Sequence, residues 1–557
     1  MQNSTSGQPG AAEYGAAEYG AAESGAAENS TSPTRARAFP EASLDAAARG
    51  EDEFRVDLER IRFSPYFSRL SAVTQVIPQA GSGTVVHNRL THSLKVTAVA
   101  RSIAMGLRDG VERTRALPPH TEQARTIEVL GGCDPVVVQA AASAHDLGHP
   151  PFGHLGEQTL DRLARGRLGL PDGFEGNAQT FRILTTLDTS DTSERGLNLT
   201  AAVRAAVLKY PWTRGEWTAA PHDPQPNGPA HLLPRGVGID RANGAQKYSA
   251  YTLNALEMAQ ARSAYPAIGR YQQTVECSVM DIADDIAYSV HDLDDFYRAG
   301  VLQHTPVAAE LQSWLADQGG LAGLERRRLE DAFRTPGYSL ELAWRRTVQK
   351  DAWIADDAAF REAVLRVKEG LVDGLLAVPY DGGLAADHAI AAFTRRWIDR
   401  LKASIVVERN PDVRSGHVRL TQDAWHDVVV LKFVHSRFVL DRPDLAIYQK
   451  GQARVIESLV SGFSAWLEDP DDAARAPRRL TDSAEATTEA YRQLRADAPE
   501  LLGMRAGEPT DDEALARLGR SRAVIDYIAS FTDAQALSAA ALIGGTSDRL
   551  WEDGRSL

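Results

Sequence analysis

Apolar and polar positions recur along this chain mainly with a helical period, and the helices so predicted carry nearly all of its chemistry-bearing residues. The signal is densest after Asp134, which suits an N-cap. Pro135 suits the first helical position, and Val136 to Ala144 are almost all apolar. Upstream, a helix beginning near Thr91 sets His92, Val96, Val99, Ile103 and Leu107 on one face at steps of four and three. Downstream, Val279, Ile282, Ile286, Val290, Leu293 and Tyr297 form another apolar stripe. Asp284, Tyr288 and Asp292, spaced by four, form an adjacent polar stripe. Ala-, Leu-, Arg- and Glu-rich segments with the same period cover most of 41–205, 246–300, 340–400 and 482–540, so the expected fold class is all-α. One short β-hairpin is expected, from Ser404 to Glu408 and His417 to Thr421, joined through Asn410-Pro411 and Ser415-Gly416.

The exit of the helix after Asp134 reads Ala144-His145-Asp146-Leu147-Gly148-His149-Pro150-Pro151-Phe152-Gly153-His154-Leu155-Gly156-Glu157. A charged Asp146 at the end of a buried helix is costly unless a cation or hydrogen bonds compensate it, and imidazole beside carboxylate is ordinary metal chemistry. Gly148 and Pro150 stop the helix. A second helix then carries His154 and Glu157, which share a face because they are three apart. Taken singly, each feature has a plainer meaning. A lone His-Asp pair is more often a hydrogen-bonded core dyad, His92 a satisfied core histidine, the Asp284 stripe a solvated face, and His149 a turn residue. Together the segments read as a metal site with an acid/base group attached. An adjacent His-Asp pair cannot complete a coordination sphere alone, so His92 and the Asp284 stripe are the candidates to extend it.

These segments, in this order, resemble the HD-domain superfamily and within it the deoxyguanosinetriphosphate triphosphohydrolase family. The resemblance runs from about Phe54 to Gly544. It includes Arg89-Leu90-Thr91-His92-Ser93-Leu94, the block His145 to Glu157, Phe174-Glu175-Gly176-Asn177-Ala178-Gln179, Leu208-Lys209-Tyr210-Pro211-Trp212, Ala283-Asp284-Asp285-Ile286-Ala287-Tyr288 and Asp526-Tyr527-Ile528-Ala529. It implies an HD-domain helical fold that hydrolyses a dNTP, dGTP or others, to deoxynucleoside and triphosphate by water attack on the α-phosphorus. It also implies one divalent metal ion, with Mg, Mn, Fe and Zn undecided, held by His92, His145, Asp146 and Asp284. His154 and Glu157 would handle the proton, and His149 would be a secondary acid/base group or phosphate contact. Arg89, Lys209, Lys247 and Arg437 would meet the phosphates, while Gln75, Tyr288 and Asp292 would meet the sugar; Tyr448 is a weaker pocket candidate. Gly176 departs from the many relatives with His there, although other relatives carry Gly; if that His is the proton donor in the first group, His154 and Glu157 take the task here. The alternatives are another HD-type hydrolase acting on a phosphodiester or an alarmone, and a dNTP sensor that does not turn over. The sugar-side residues speak against the first, and an intact proton-transfer pair against the second.

Charge and composition narrow the setting. A formal net charge of -14 must be reversed locally wherever a triphosphate binds. With no basic-aromatic stripe it also argues against nucleic acid as the main partner, although single-stranded DNA stays open because some relatives respond to it. The two cysteines, Cys133 and Cys277, lack disulfide or metal spacing. With no apolar run of membrane length, they point to a cytoplasmic protein without membrane contact. The resemblance adds a homo-oligomer and a dNTP effector as expected partners. The motifs interleave along 557 residues, so the expected organisation is one hydrolase domain over 36–477, with a Pro- and Gly-rich insertion at 211–240 and a C-terminal helical subdomain at 478–557. Residues 1–35, with the repeat starting Ala11-Ala12-Glu13-Tyr14-Gly15, are expected to be disordered.

Overall fold

The helix expected after Asp134 runs from Pro135 to Ala144, with Asp134 Oδ1 accepting from the Val136 and Val137 amides at 2.7 and 3.4 Å. It sits among other helices in a computed structural model that describes residues 32–39, 52–76, 87–116, 121–189, 196–218, 232–238, 242–504 and 511–547. The expected tail repeat and parts of the 211–240 insertion, 219–231 and 239–240, lie outside the described residues. The helices that build the site are, in chain order, α1 (Glu53–Phe63), α2 (Arg89–Ala116), α3 (Pro135–Ala144), α4 (Gly153–Gly166), α5 (Gly176–Arg182), α6 (Val275–Arg298), α7 (Gln422–His435), α8 (Pro443–Glu468), α9 (Arg478–Asp497), α10 (Asp512–Ala529) and α11 (Asp533–Ile543). The β-hairpin is present as β1 (Ile405–Val407) and β2 (Val418–Leu420), antiparallel with Val406 opposite Arg419. The fold is therefore the mostly helical one expected.

Every apolar position expected on α2 and α6 is buried: His92, Val96, Val99, Ile103 and Leu107 on the first, and Val279, Ile282, Ile286, Val290, Leu293 and Tyr297 on the second. These stripes meet α3, whose Val137, Val138, Ala140, Ala141 and Ala144 are fully enclosed, so the three helices form the main core around the His-Asp exit. A second core joins Leu160 and Leu163 of α4 to Ile456, Leu459 and Phe463 of α8, Leu480 of α9, Val524 and Ile528 of α10 and Ala536 of α11. A third, smaller cluster gathers Trp212, Val237, Tyr248 and Tyr251 around the described ends of the insertion.

The helices α7 and α8 fall outside the helical spans expected from periodicity. In α7 the reason is physical: Ala424, Asp427, Val428, Val430, Leu431, Phe433, Val434 and His435 are buried around much of its circumference, so no amphipathic stripe forms. Its Val428-Val429-Val430 run has the β-branched composition of a strand. Among the described residues both cysteines are free, and no helix is long and apolar enough to cross a membrane.

Candidate metal and acid/base site

The end of α3 delivers His145 with its tautomer set by the backbone. Nδ1 lies 2.7 Å from the Ala142 carbonyl, so Nδ1 carries the hydrogen and Nε2 keeps its lone pair. That Nε2 is buried and has no hydrogen-bond partner. Facing it are two donors from separate helices: His92 Nε2 from α2 lies 3.2 Å from Asp284 Oδ1 of α6, and His145 Nε2 lies 3.8 Å from the same oxygen. The His92 and His145 rings are 5.6 Å apart. Donors that share one ion at about 2.1 Å each are separated by roughly 3–4 Å, so these three fit a single divalent cation, and the orphaned Nε2 is the atom such an ion would satisfy.

Asp146 stands beside this trio. Its Oδ1 is 3.6 Å from His145 Nε2 and 3.0 Å from His149 Nδ1, while Oδ2 accepts from Arg89 Nη1 at 3.0 Å. Burial alone would raise its carboxyl. His149, Arg89 and His145 outweigh burial and hold it well below the usual carboxylate range. Asp284 follows the same logic: burial opposes ionisation, and Lys209, with its Nζ 3.1 Å from Oδ2, leads the groups that overcome it. Lys209 also lies 2.7 Å from Asp281 Oδ1, and burial notwithstanding these carboxylates keep it firmly charged.

A second cluster follows one turn on. His154 Nδ1 is 3.1 Å from Glu157 Oε2, and the His149 and His154 rings meet edge to face at 5.2 Å. His154 is 64% exposed along its side chain while Glu157 is buried, so the imidazole is open to a substrate and its partner carboxylate is not. Lys247 bonds Glu157 and also reaches Glu175 at 3.1 Å. Against its burial, Lys247 and His154 hold Glu157 ionised. His149 is pushed down to about 4 by burial and by Arg89, so it is a neutral imidazole near pH 7. Gly176 lies against it: a Cβ there would stand 3.5 Å from the His149 ring, so a larger residue at that position would face this histidine directly.

The other expected site residues divide by position. Tyr288 and Asp292 continue the α6 face beyond Asp284; Asp292 Oδ2 is buried without a partner, and burial with Asp295 and Asp284 raises its carboxyl well above the ordinary value. Gln75 abuts Gly153, where a Cβ would lie 3.6 Å from the Gln75 carbonyl, and its own Oε1 is buried and unpartnered. Arg437 is not brought to this cluster. Its guanidinium donates to Ser339 Oγ at 3.1 Å and lies over Phe333 and Phe438. Two positions along a helix is roughly half a turn, so the residue turned toward the site is His435, packed between Tyr288 at 4.8 Å and Phe296 at 5.0 Å with both ring nitrogens unpartnered. Tyr448 lies on the outer face of α8 and is 43% exposed. The Asp526-Tyr527-Ile528-Ala529 segment packs back onto α5: Asp526 accepts from Arg182 Nε at 2.7 Å and Gln179 Nε2 at 3.1 Å. Sequence reasoning missed His435, and also Asp533 and Arg69, whose contacts span hundreds of residues and leave no local signal.

A helical scaffold that converges histidines and carboxylates at the end of a buried helix defines an HD-domain, metal-dependent phosphohydrolase, and the HD domain family matches residues 89–191. Similar proteins extend the likeness beyond that segment. A deoxyguanosinetriphosphate triphosphohydrolase-like protein of Streptomyces coelicolor is 30% identical over 507 residues, 89% of this chain and 93% of its own length. One of Bifidobacterium longum is 28% identical, covering 87% of this chain and 81% of that protein. A like-protein 2 of Mesorhizobium japonicum is 35% identical over 292 residues, 51% of this chain and 52% of that protein. This chain belongs to the deoxyguanosinetriphosphate triphosphohydrolase-like family.

Proposed function

We propose that this protein hydrolyses a deoxynucleoside triphosphate to the deoxynucleoside and intact triphosphate. The observation that carries the reading is the placement of an exposed, carboxylate-backed imidazole, His154 with Glu157, one turn from a buried donor cluster that fits a divalent cation. His92, His145 and Asp284, with Asp146 beside them, would hold that ion, which when bound supplies charge to the reacting phosphoryl oxygens. The chain's own groups would do the rest. Glu157 orients the His154 ring through Nδ1, leaving Nε2 to pass a proton to the leaving sugar oxygen or take one from the attacking water. His149, neutral and in contact with Asp146, would contact the phosphate. Arg89, Lys209 and Lys247 supply positive charge near the two clusters, each already balanced by a carboxylate that a phosphate would compete with. On the sugar side, Tyr288 narrows the pocket against a 2′-hydroxyl. A 3′-hydroxyl, with one hydrogen to give, would satisfy Gln75 Oε1 or Asp292 Oδ2, each unpartnered in the protein alone.

The test is incubation with each dNTP and Mg or Mn, with products resolved by anion exchange. Deoxynucleoside with intact triphosphate is the expected outcome, and it ranks the bases at once. Monophosphate with pyrophosphate would mean that a different bond is cut, and no turnover under any metal would overturn the hydrolase reading in favour of binding alone.

A further inference from the structure

Helix α4 presents His154 and Glu157 from its first turn, yet its own N-terminus has no side-chain cap. Phe152 occupies the cap position at φ 65°, in the left-handed region that a residue with a Cβ adopts only when its surroundings impose it. What imposes it comes from far along the chain. The Phe152 N–H donates to Asp533 Oδ1 at 2.9 Å, and Asp533 Oδ2 accepts from the Thr74 amide at 3.0 Å and the Thr74 hydroxyl at 2.5 Å. Thr74 precedes Gln75. The next residue of the turn, Gly153, is hemmed in, since a Cβ would lie 2.7 Å from Arg89 Nη2 and 3.3 Å from the Thr74 carbonyl. At the other end of the same turn, Arg69 Nη2 donates to the Leu147 and His149 carbonyls, both at 2.8 Å, while its Nη1 donates to the Phe531 carbonyl at 2.9 Å. Phe531 to Asp533 is therefore tied to the segment that runs from His149 to His154 at two places, directly at Phe152 and through Arg69 at His149. Asp533 is also not needed to cap its own helix, because Thr532 and Gln535 already form a reciprocal capping box at α11.

We propose that Asp533 is a positioning residue for the reaction: it locks the left-handed Phe152 turn that aims His154 and Glu157, and clamps Thr74-Gln75 against that turn. A carboxylate suits the task because it accepts three hydrogens from two segments and offers none. In Asp533→Asn the amide would set a donor against one of those donors. The activity readout rests on the proposed dNTP hydrolysis; the structural readout does not.

The experiment compares Asp533→Asn and Asp533→Ala with Gln535→Ala, which weakens the same helix end without touching the turn. Steady-state kinetics, bound Mn and amide exchange at Phe152 to Leu155 are measured in each full-length variant. The Asp533 variants are expected to lose about ten- to a hundredfold in kcat with KM and bound Mn little changed, and to exchange those amides about tenfold faster. Gln535→Ala is expected to keep wild-type kcat and exchange at the turn. The inference is overturned if Asp533→Asn and Asp533→Ala keep kcat and amide protection, if Gln535→Ala loses as much, or if Mn binding falls together with kcat. Should Asp533→Ala not fold, Asp533→Asn, equal in size, decides. A wild-type protein that releases no triphosphate would defeat the proposed function alone, leaving amide exchange to decide for Asp533.

Discussion

At the scale of single residues, the site separates buried groups that hold charge from an imidazole, His154, that is open to solvent. Asp146 is buried and shared between Arg89 and the histidines, so Asp146→Ala strips the anion that balances them. It is expected to abolish both metal binding and turnover, read by metal content and product formation; retained activity would remove Asp146 from the site. His154 is exposed and pairs only through Nδ1 with Glu157, so His154→Ala is expected to keep the metal and lose about two to four orders of magnitude in kcat. His435 makes a different kind of prediction. Burial, reinforced by Lys432 and His154, pushes its imidazole down to about 3 from the ordinary 6.5. Below pH 6.5 the unfolded chain takes up a proton that the folded chain refuses, so His435 costs stability progressively as pH falls from 6.5 toward 3. Replacing it in His435→Phe is expected to flatten the acid side of the stability curve by about 1.4 kcal/mol per pH unit, measured by urea unfolding at pH 7 and pH 5. The sequence displayed His92, His145 and Asp284 because each interrupts or borders an apolar stripe. In Val434-His435-Ser436-Arg437 the sequence marks the charged Arg437, whereas helix phase turns His435, two positions earlier, toward Tyr288 and Phe296.

At the scale of elements, the critical joint is between the exit of α3 and the start of α5. Gly148 lies so close to α5 that a Cβ would stand 2.1 Å from the Gly176 carbonyl and 2.3 Å from the Thr180 amide, both backbone atoms that cannot swing away. The Gly148 amide also donates to Thr180 Oγ1 at 2.9 Å. Gly148→Ala must therefore pry α5 off the metal-site turn. It is expected to cost several kcal/mol and to disorder the His145–His149 segment, read by thermal melting together with metal affinity. Such joints explain what was legible. Within α2, α3 and α6 the apolar period, joined at α3 by the Asp134 cap, is enough to find each helix, its buried face and its histidine or aspartate. The Gly148 contact was visible only as a helix stop, because a glycine required by another helix looks the same in sequence as one required by a turn. Helix α7 went unseen for the opposite reason: a helix buried around its girth has no pattern to show.

At the scale of the whole molecule, two cores divide the work. The main core seats the donor cluster between α2, α3 and α6, and the second core seats α4 against α8 to α11. Ile528, fully buried in the second core, is a probe of that division. Ile528→Ala is expected to cost about 2–5 kcal/mol by denaturant unfolding and, short of unfolding, to lower kcat more than metal affinity. The pairing of Arg182 with Asp526 and of Thr74 with Asp533 joins the two cores, and neither is readable locally, since the partners are separated by 344 and 459 positions.

The division has a consequence for the order in which the chain is made. His92, His145 and Asp284 all leave the ribosome, and the helices that carry them can pack, well before Ile528 and Asp533 exist. A nascent or prematurely terminated product thus holds the donors for a cation but lacks the walls that fix its proton-transfer helix. The donors and the second core that seats α4 are complete together only after translation has passed α11.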